Sequence, residues 1–260
     1  MKHLRDAVVL VTGASSGIGL ACAEAFARVG ARPILAARRG RVVRRLAARF
    51  QHEHRAEAFP LELDVRDAQA VEQAVRGLPA AWRAIDVLVN NAGLSRGLDP
   101  VHENAVEQID QMVDTNVKGL LYVTRAVVPG MVERGRGHVV NIGSTAGHEV
   151  YPGGTVYCAT KHAVGAITRG LKMDLHGTGV RVSTVDPGLT ETDFSLVRFD
   201  GDRARADAVY ATTTPLTPED VADAVLYVAA RPPHVNVAEV ILQPTAQSSA
   251  TMIERDEREA

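Results

Sequence analysis

Cysteine is nearly absent: the 260 residues hold only Cys22 and Cys158. Two cysteines exclude a disulfide framework and a multi-cysteine zinc site, and they fit a reducing compartment. Charge of one sign is lacking too. The 29 Lys and Arg against 31 Asp and Glu leave a formal net charge of −2, which excludes a polycation built to coat nucleic acid or an anionic membrane. No apolar stretch approaches the roughly 18 residues of a membrane span. The first apolar run, Ala7 to Val11, is too short for the core of a signal peptide and reads as a strand. With 46% hydrophobic and 23% charged residues, the composition is globular rather than disordered. The expectation is one cytoplasmic domain over residues 1–260, large enough to bury roughly three-quarters of its unfolded surface.

What is present is a rhythm. Strand-like runs at Ala7–Thr12, Arg32–Ala37, Glu57–Leu63, Ile85–Asn90, His138–Gly143, Val180–Val185 and Glu239–Leu242 alternate with helix-period segments. Several runs are continuously apolar, as expected when helices cover both faces of a parallel sheet. One helical stripe carries Ile18, Cys22, Phe26 and Val29; another carries Val221, Ala224, Val225 and Val228. The second begins with Thr217 as a cap, Pro218 in the first turn, and Glu219 and Asp220 at the positive end of the helix dipole. This alternation predicts a single-domain Rossmann-type α/β fold, a doubly wound parallel sheet of about seven strands with helices on both faces. Two stretches break the pattern. Residues 188–218 lack a clear strand and read as a substrate lid. Residues 246–260 end in a charged tail, with Thr251–Ala260 expected to fray or to reach a neighbouring subunit.

The first strand runs into Gly13-Ala14-Ser15-Ser16-Gly17-Ile18-Gly19 and then a helix. Glycines let the backbone approach a pyrophosphate, and the helix N-terminus offers free N–H groups to the anion. After the second strand an acid would hold an adenosine 2′-hydroxyl. Here Ala36-Ala37-Arg38-Arg39 stands instead. Arg38 and Arg39, with Ser15, can clamp a 2′-phosphate, which favours NADP(H) as cofactor. Six arginines fall between Arg38 and Arg49; without interleaved aromatics they do not suggest nucleic-acid binding.

Tyr157 and Lys161 are four residues apart on a predicted helix, Val156–Leu175, so they share a face. A tyrosine titrates near pH 10 unperturbed, and a nearby ammonium brings its phenol into the range of acid–base work. Ser144 lies just past a strand end, where sheet topology places ligands and a hydroxyl can bind a carbonyl oxygen.

Together with Asn90-Asn91-Ala92-Gly93, Asn116 and Pro187-Gly188, these motifs resemble the short-chain dehydrogenase/reductase family, in order, from Ala7 to about Thr245. Ile142–Gly147, Asp174–Thr178, Phe194–Phe199 and the run from His234 to Thr245 resemble one branch, the NADP-dependent 3-hydroxy acid dehydrogenases of serine and allo-threonine type. The resemblance implies catalytic roles for Asn116, Ser144, Tyr157 and Lys161. It implies cofactor contacts for Asn90, Ala92 and Gly93, for Asp64 and Val65 at the adenine, for Tyr157 and Lys161 (the latter at the nicotinamide ribose), and for Pro187, Gly188, Thr190 and Thr192 at the nicotinamide. It also implies a homotetramer packed through the helices around Glu103–Arg134 and Val156–His176 and through the last strand. The alternatives are a carbonyl reductase of other range (sulfoacetaldehyde, 3-oxo esters, ketones) and, more distantly, a non-catalytic NADP(H) sensor.

A small acid needs a cation, because an unpaired buried carboxylate is expensive. Arg96, Arg198, Arg203 and Arg205 are the candidates, with Arg198 favoured; His148, Glu149 and Tyr151 are expected to wall the pocket. Cys158 reads as packing, and His52-Glu53-His54 as a polar helix end. No membrane, nucleic-acid or metal partner is expected.

Overall fold

In the computed structural model, which describes residues 2–256, seven strands form one sheet. They are β1 (Val8–Thr12), β2 (Arg32–Ala37), β3 (Phe59–Glu62), β4 (Ile85–Asn90), β5 (Gly137–Ile142), β6 (Val180–Pro187) and β7 (Glu239–Leu242). Their order is β3-β2-β1-β4-β5-β6-β7, and every neighbouring pair is parallel. The order reverses between β1 and β4, and a doubly wound sheet opens its ligand crevice at such a switch, beyond the strands' C-terminal ends. The strands fall where the sequence predicts them. The third is shorter than expected, and the sixth extends two residues further, which brings Asp186 into the sheet.

Successive residues of a strand point to opposite faces, so each strand serves two cores. Val9 and Val11 pack with Cys22 and Phe26 of α1 (Gly17–Arg28) and Phe50 of α2 (Gly40–His54). Val8 and Leu10 pack on the other face with Val71 of α3 (Ala68–Arg76). Phe26 and Phe50 are fully buried, and each contributes about 1.5–3 kcal/mol by leaving water.

The predicted long helix from Glu103 is interrupted. α4 (Val106–Val113) passes into a π-helical turn, Asp114–Gly119, before α5 (Leu120–Glu133). One extra residue per turn re-aims the side chains there, and such bulges favour functional sites. Asn116 sits on that turn. α6 (Thr155–Asp174) follows β5.

The lid stretch folds as α7 (Phe194–Arg198) and α8 (Arg203–Tyr210), ahead of α9 (Pro218–Ala229). Thr217 and Asp220 form a reciprocal capping box at α9. This stretch is tied down: Arg96 donates to Val197 O and Asp200 Oδ1, and Gly97 N donates to Arg198 O.

The expected frayed tail is a correction. Gln247 and Ile253 form an antiparallel bridge, Glu254 N donates to Ala246 O, and the Arg255 guanidinium donates to Val209 O and Ala211 O. Hydrogen bonds to the backbone carbonyls of Val209, Ala211 and Thr212 order this segment in spite of its charged composition. The remainder of the predicted tail, 257–260, lies outside the described residues. Among the described residues no helix is long and apolar enough to cross a membrane.

Candidate active site

The turn after β1 is locked to the end of β4. Thr12 Oγ1 accepts from Asn91 N and Ala92 N, both at 3.0 Å, and Asn91 Nδ2 donates to Thr12 O at 2.9 Å. Gly13 has a φ of +68°, and a Cβ there would meet Asn91 Nδ2 at 2.8 Å, so both conformation and space require glycine. Ser16 caps α1 in an extended conformation without a side-chain cap bond, which leaves the helix N-terminus open to an anion. Arg39 reaches over this turn. Its guanidinium donates to Ser15 Oγ at 3.0 and 2.8 Å and to Ser16 Oγ at 2.7 Å. A cation and two hydroxyls at a glycine turn suit a phosphate.

Ser144 lies two residues past β5 and its Oγ accepts from Ala146 N at 3.1 Å. Tyr157 and Lys161 lie one turn apart on α6, 9% and 8% exposed. Contrary to the expectation that the Lys161 ammonium lowers it, the Tyr157 phenol is pushed well above its ordinary value by burial, and Tyr151 adds to this, against Arg198 and the Ser144 hydroxyl, which pull it down. Lys161 Nζ donates to Ile142 O at 2.9 Å and lies 5.9 Å from the Tyr157 ring centre. Burial brings its pKa down to about 8, and Asp186 opposes the fall. Asn116 clips the neighbouring loop in place: Oδ1 accepts from Leu94 N, and Nδ2 donates to Leu94 O and Thr160 Oγ1.

These groups surround a cavity of about 490 Å³. Gly13, Ser16, Gly17 and Ile18 line one end; Ala92, Gly93, Ser144, Tyr157 and Lys161 the middle; Pro187, Gly188, Thr190 and Thr192 another wall. At the far end stand Tyr151, Phe194 and Arg198. Arg198 Nη2 donates to Tyr151 Oη at 3.0 Å, and its guanidinium carbon lies 5.5 Å from the Tyr157 ring centre.

Other predicted residues stand apart from the cavity. Ser15 and Gly19 belong to the glycine turn, and Asn116 lies behind its wall, with Oδ1 3.3 Å from where a Cβ on Gly93 would be. Asn90 is buried and ties β4 to Thr124 and Asn141. Val65 is core, packed on Gly119. Asp64 is held by Arg66, whose hydrogen bond keeps its carboxyl below the usual range; burial opposes this, and Arg38 adds a smaller pull. His148 pairs with Asp186, and Glu149 accepts from Ala250 N, so only Tyr151 of that trio walls the pocket. Of the four candidate arginines, Arg198 alone lines it: Arg96 pins the lid and Arg205 stacks on Phe199. Arg203 borders a separate cavity.

Asn91, Phe194, Ile253 and Arg255 line the cavity as well, beyond the residues expected from sequence. Asn91 lies inside the Asn-Asn-Ala-Gly motif, and its polarity there is the signal that marks it. Nothing local marks Ile253 or Arg255, since the return of the C-terminal segment is a long-range contact.

The sequence profile of the short chain dehydrogenase family matches residues 7–201. The NADP-dependent 3-hydroxy acid dehydrogenase of Salmonella typhi is 51% identical over 244 residues, 94% of this chain and 97% of that protein. Sulfoacetaldehyde reductase 2 of Chromohalobacter salexigens is 46% identical over 251 residues, 96% of this chain and 99% of that protein. Among solved structures, the closed form of a serine dehydrogenase complexed with NADP+ superposes with a TM-score of 0.89 at 46% identity, covering 95% of this chain and 99% of that one.

Proposed function

The chain belongs to the short-chain dehydrogenase family, and we propose that within it the protein is an NADP(H)-dependent oxidoreductase that interconverts a short 3-hydroxy acid and its carbonyl form. The observation that carries the substrate class is Arg198, a cation brought to the far end of the cavity beside Tyr151 and Tyr157. A carboxylate entering a site this buried needs such a partner. Close relatives named for 3-hydroxy acids and for serine support the same class.

The residues fit the cofactor. The Gly13 turn and the α1 N-terminus suit a pyrophosphate, and Arg39 with Ser15 and Ser16 suits a 2′-phosphate. When bound, NADP(H) supplies the hydride donor or acceptor. Pro187, Gly188, Thr190 and Thr192 line the cavity wall and would hold its nicotinamide end.

Tyr157 is the acid–base group. Its raised pKa keeps it protonated at neutral pH, so in reduction it gives its proton to the carbonyl oxygen as hydride reaches the carbon. In oxidation it takes the alcohol proton back. Ser144 binds and polarises the same oxygen, and Lys161, titrating at about 8, is mostly an ammonium at neutrality and stabilises the phenolate. Asn116 fixes the loop and helix behind Lys161.

A sulfonated aldehyde is the second reading. A sulfoacetaldehyde reductase stands at 46% identity, and Arg198 pairs with a sulfonate as well as with a carboxylate. Family membership extends the proposal to a cytoplasmic homotetramer; β7 at the sheet edge, with Ile241 51% exposed, supports subunit contact there.

The test compares NADPH-dependent reduction of malonic semialdehyde, sulfoacetaldehyde and propanal. Preference for malonic semialdehyde supports the proposal, preference for sulfoacetaldehyde selects the second reading, and equal rates on all three remove Arg198 from substrate selection.

A further inference from the structure

Asp186 lies near the end of β6, one residue before Pro187, and is 3% exposed without lining the cavity. Thr184 Oγ1 donates to its Oδ1, and His148 Nε2 meets its Oδ2 at 2.7 Å. A Cβ on Gly143 would fall 1.8 Å from Asp186 Oδ1, so the carboxylate occupies the space that a side chain at 143 would take. The preceding residue, Ile142, gives its carbonyl to Lys161 Nζ. Two buried groups of opposite charge therefore flank the adjacent residues Ile142 and Gly143, where β5 ends and just before Ser144, close enough to interact without a direct ion pair.

A buried carboxylate held only by a hydroxyl and a part-exposed imidazole is costly, and so is a buried ammonium held only by a carbonyl. Each supplies the charge that the other lacks. We propose that Asp186, held by Thr184 and His148, is a positioning residue whose carboxylate keeps Lys161 an ammonium beside Tyr157. The consequence for turnover rests on the role given to Tyr157 and Lys161 above; the charge pairing itself does not. In keeping with it, Asp186 works against burial at Lys161. The other titratable groups facing the pair are Tyr157 on α6, His148 after β5, and Glu239 on β7, whose Oε1 lies 3.7 Å from His148 Nε2.

The chain suits a direct measurement, because Lys2, Lys118, Lys161 and Lys172 are its only lysines. Protein carrying 13Cε-lysine gives four signals to follow against pH by NMR, and Lys161→Arg identifies the one that titrates early. The expected result is a Lys161 midpoint near pH 8 in the unaltered protein, about one pH unit lower in Asp186→Asn. Asp186→Ser removes the same charge with a smaller side chain and serves if Asn fails to fold, with circular dichroism as the check. The alkaline limb of kcat for carbonyl reduction moves down by the same interval, which a merely structural role does not produce. An unmoved Lys161 midpoint in a folded neutral variant overturns the proposal. A moved midpoint in a protein that reduces no carbonyl upholds the pairing and overturns the function assigned to the site.

Discussion

The guanidinium of Arg198 donates a 3.0 Å hydrogen bond to the Tyr151 hydroxyl while its own Nε, buried, has no hydrogen-bond partner. A buried donor left unmatched in a cavity wall is expensive unless something else meets it. Arg198→Ala is therefore expected to raise KM for a 3-hydroxy acid about 10- to 100-fold, the scale of a charge-assisted hydrogen bond of roughly 1.5–3 kcal/mol. Steady-state kinetics with an uncharged aldehyde should show little change in the same variant. An equal loss on both substrates would place Arg198 in the packing of Tyr157 and Phe194 instead.

Tyr157→Phe removes the hydroxyl and keeps the ring on Phe194, 5.4 Å away between centroids. Turnover should fall by roughly 10²–10⁴-fold, the usual contribution of a general acid–base group. NADPH affinity, followed by fluorescence, should stay within about twofold. Turnover that survives the change would sink the mechanism.

The parts of this site that sit on one element or one strand end were legible early. Tyr157 and Lys161 meet because a helix repeats every 3.6 residues, and Ser144 follows a strand whose C-terminal end faces the crevice. The parts that depend on distant folding were not. Choosing Arg198 among four arginines required knowing that Arg96 and Gly97 would fasten the lid. The π turn at Asn116 buries Thr115, Asn116 and Gly119 and holds only Val117 as a large apolar residue, so apolar periodicity could not announce it. Which of Arg38 and Arg39 reaches Ser15 depends on the backbone at Arg39, φ −81° and ψ 70° at the start of α2.

Arg39 therefore carries the next prediction. Arg39→Ala should weaken NADPH about 10- to 100-fold, since it deletes the cation over Ser15 and Ser16. NADH should lose about threefold or less, and Arg38→Ala should have the smaller effect of the two. Fluorescence titration with both dinucleotides decides it; equal losses contradict the phosphate clamp.

His138 gives the fold a pH signature. The ring is 1% exposed, its Nε2 meets Ser183 Oγ at 2.8 Å, and Nδ1 has no partner. Burial lowers its pKa from 6.5 to about 3, and Arg181 adds to the fall. Between those values the unfolded chain binds a proton that the folded chain refuses, so this group's contribution to stability rises with pH from about 3 to 6.5 and is constant above. Acidification below 6.5 should cost about 1.4 kcal/mol per pH unit from this residue. Urea unfolding of His138→Gln at pH 7 and pH 5 should show a slope shallower by about one proton; an unchanged slope contradicts a neutral buried histidine.

The most direct test of the central claim is the initial rate of oxidation of L-serine, L-allo-threonine, 3-hydroxypropionate and 3-hydroxyisobutyrate, with NADP+ and separately with NAD+. The account predicts clear rates on these acids, NADP+ preferred, as Arg39 at the glycine turn and Arg198 at the far wall require. Silence on all four acids with NADP+, or rates that favour NAD+, would contradict it.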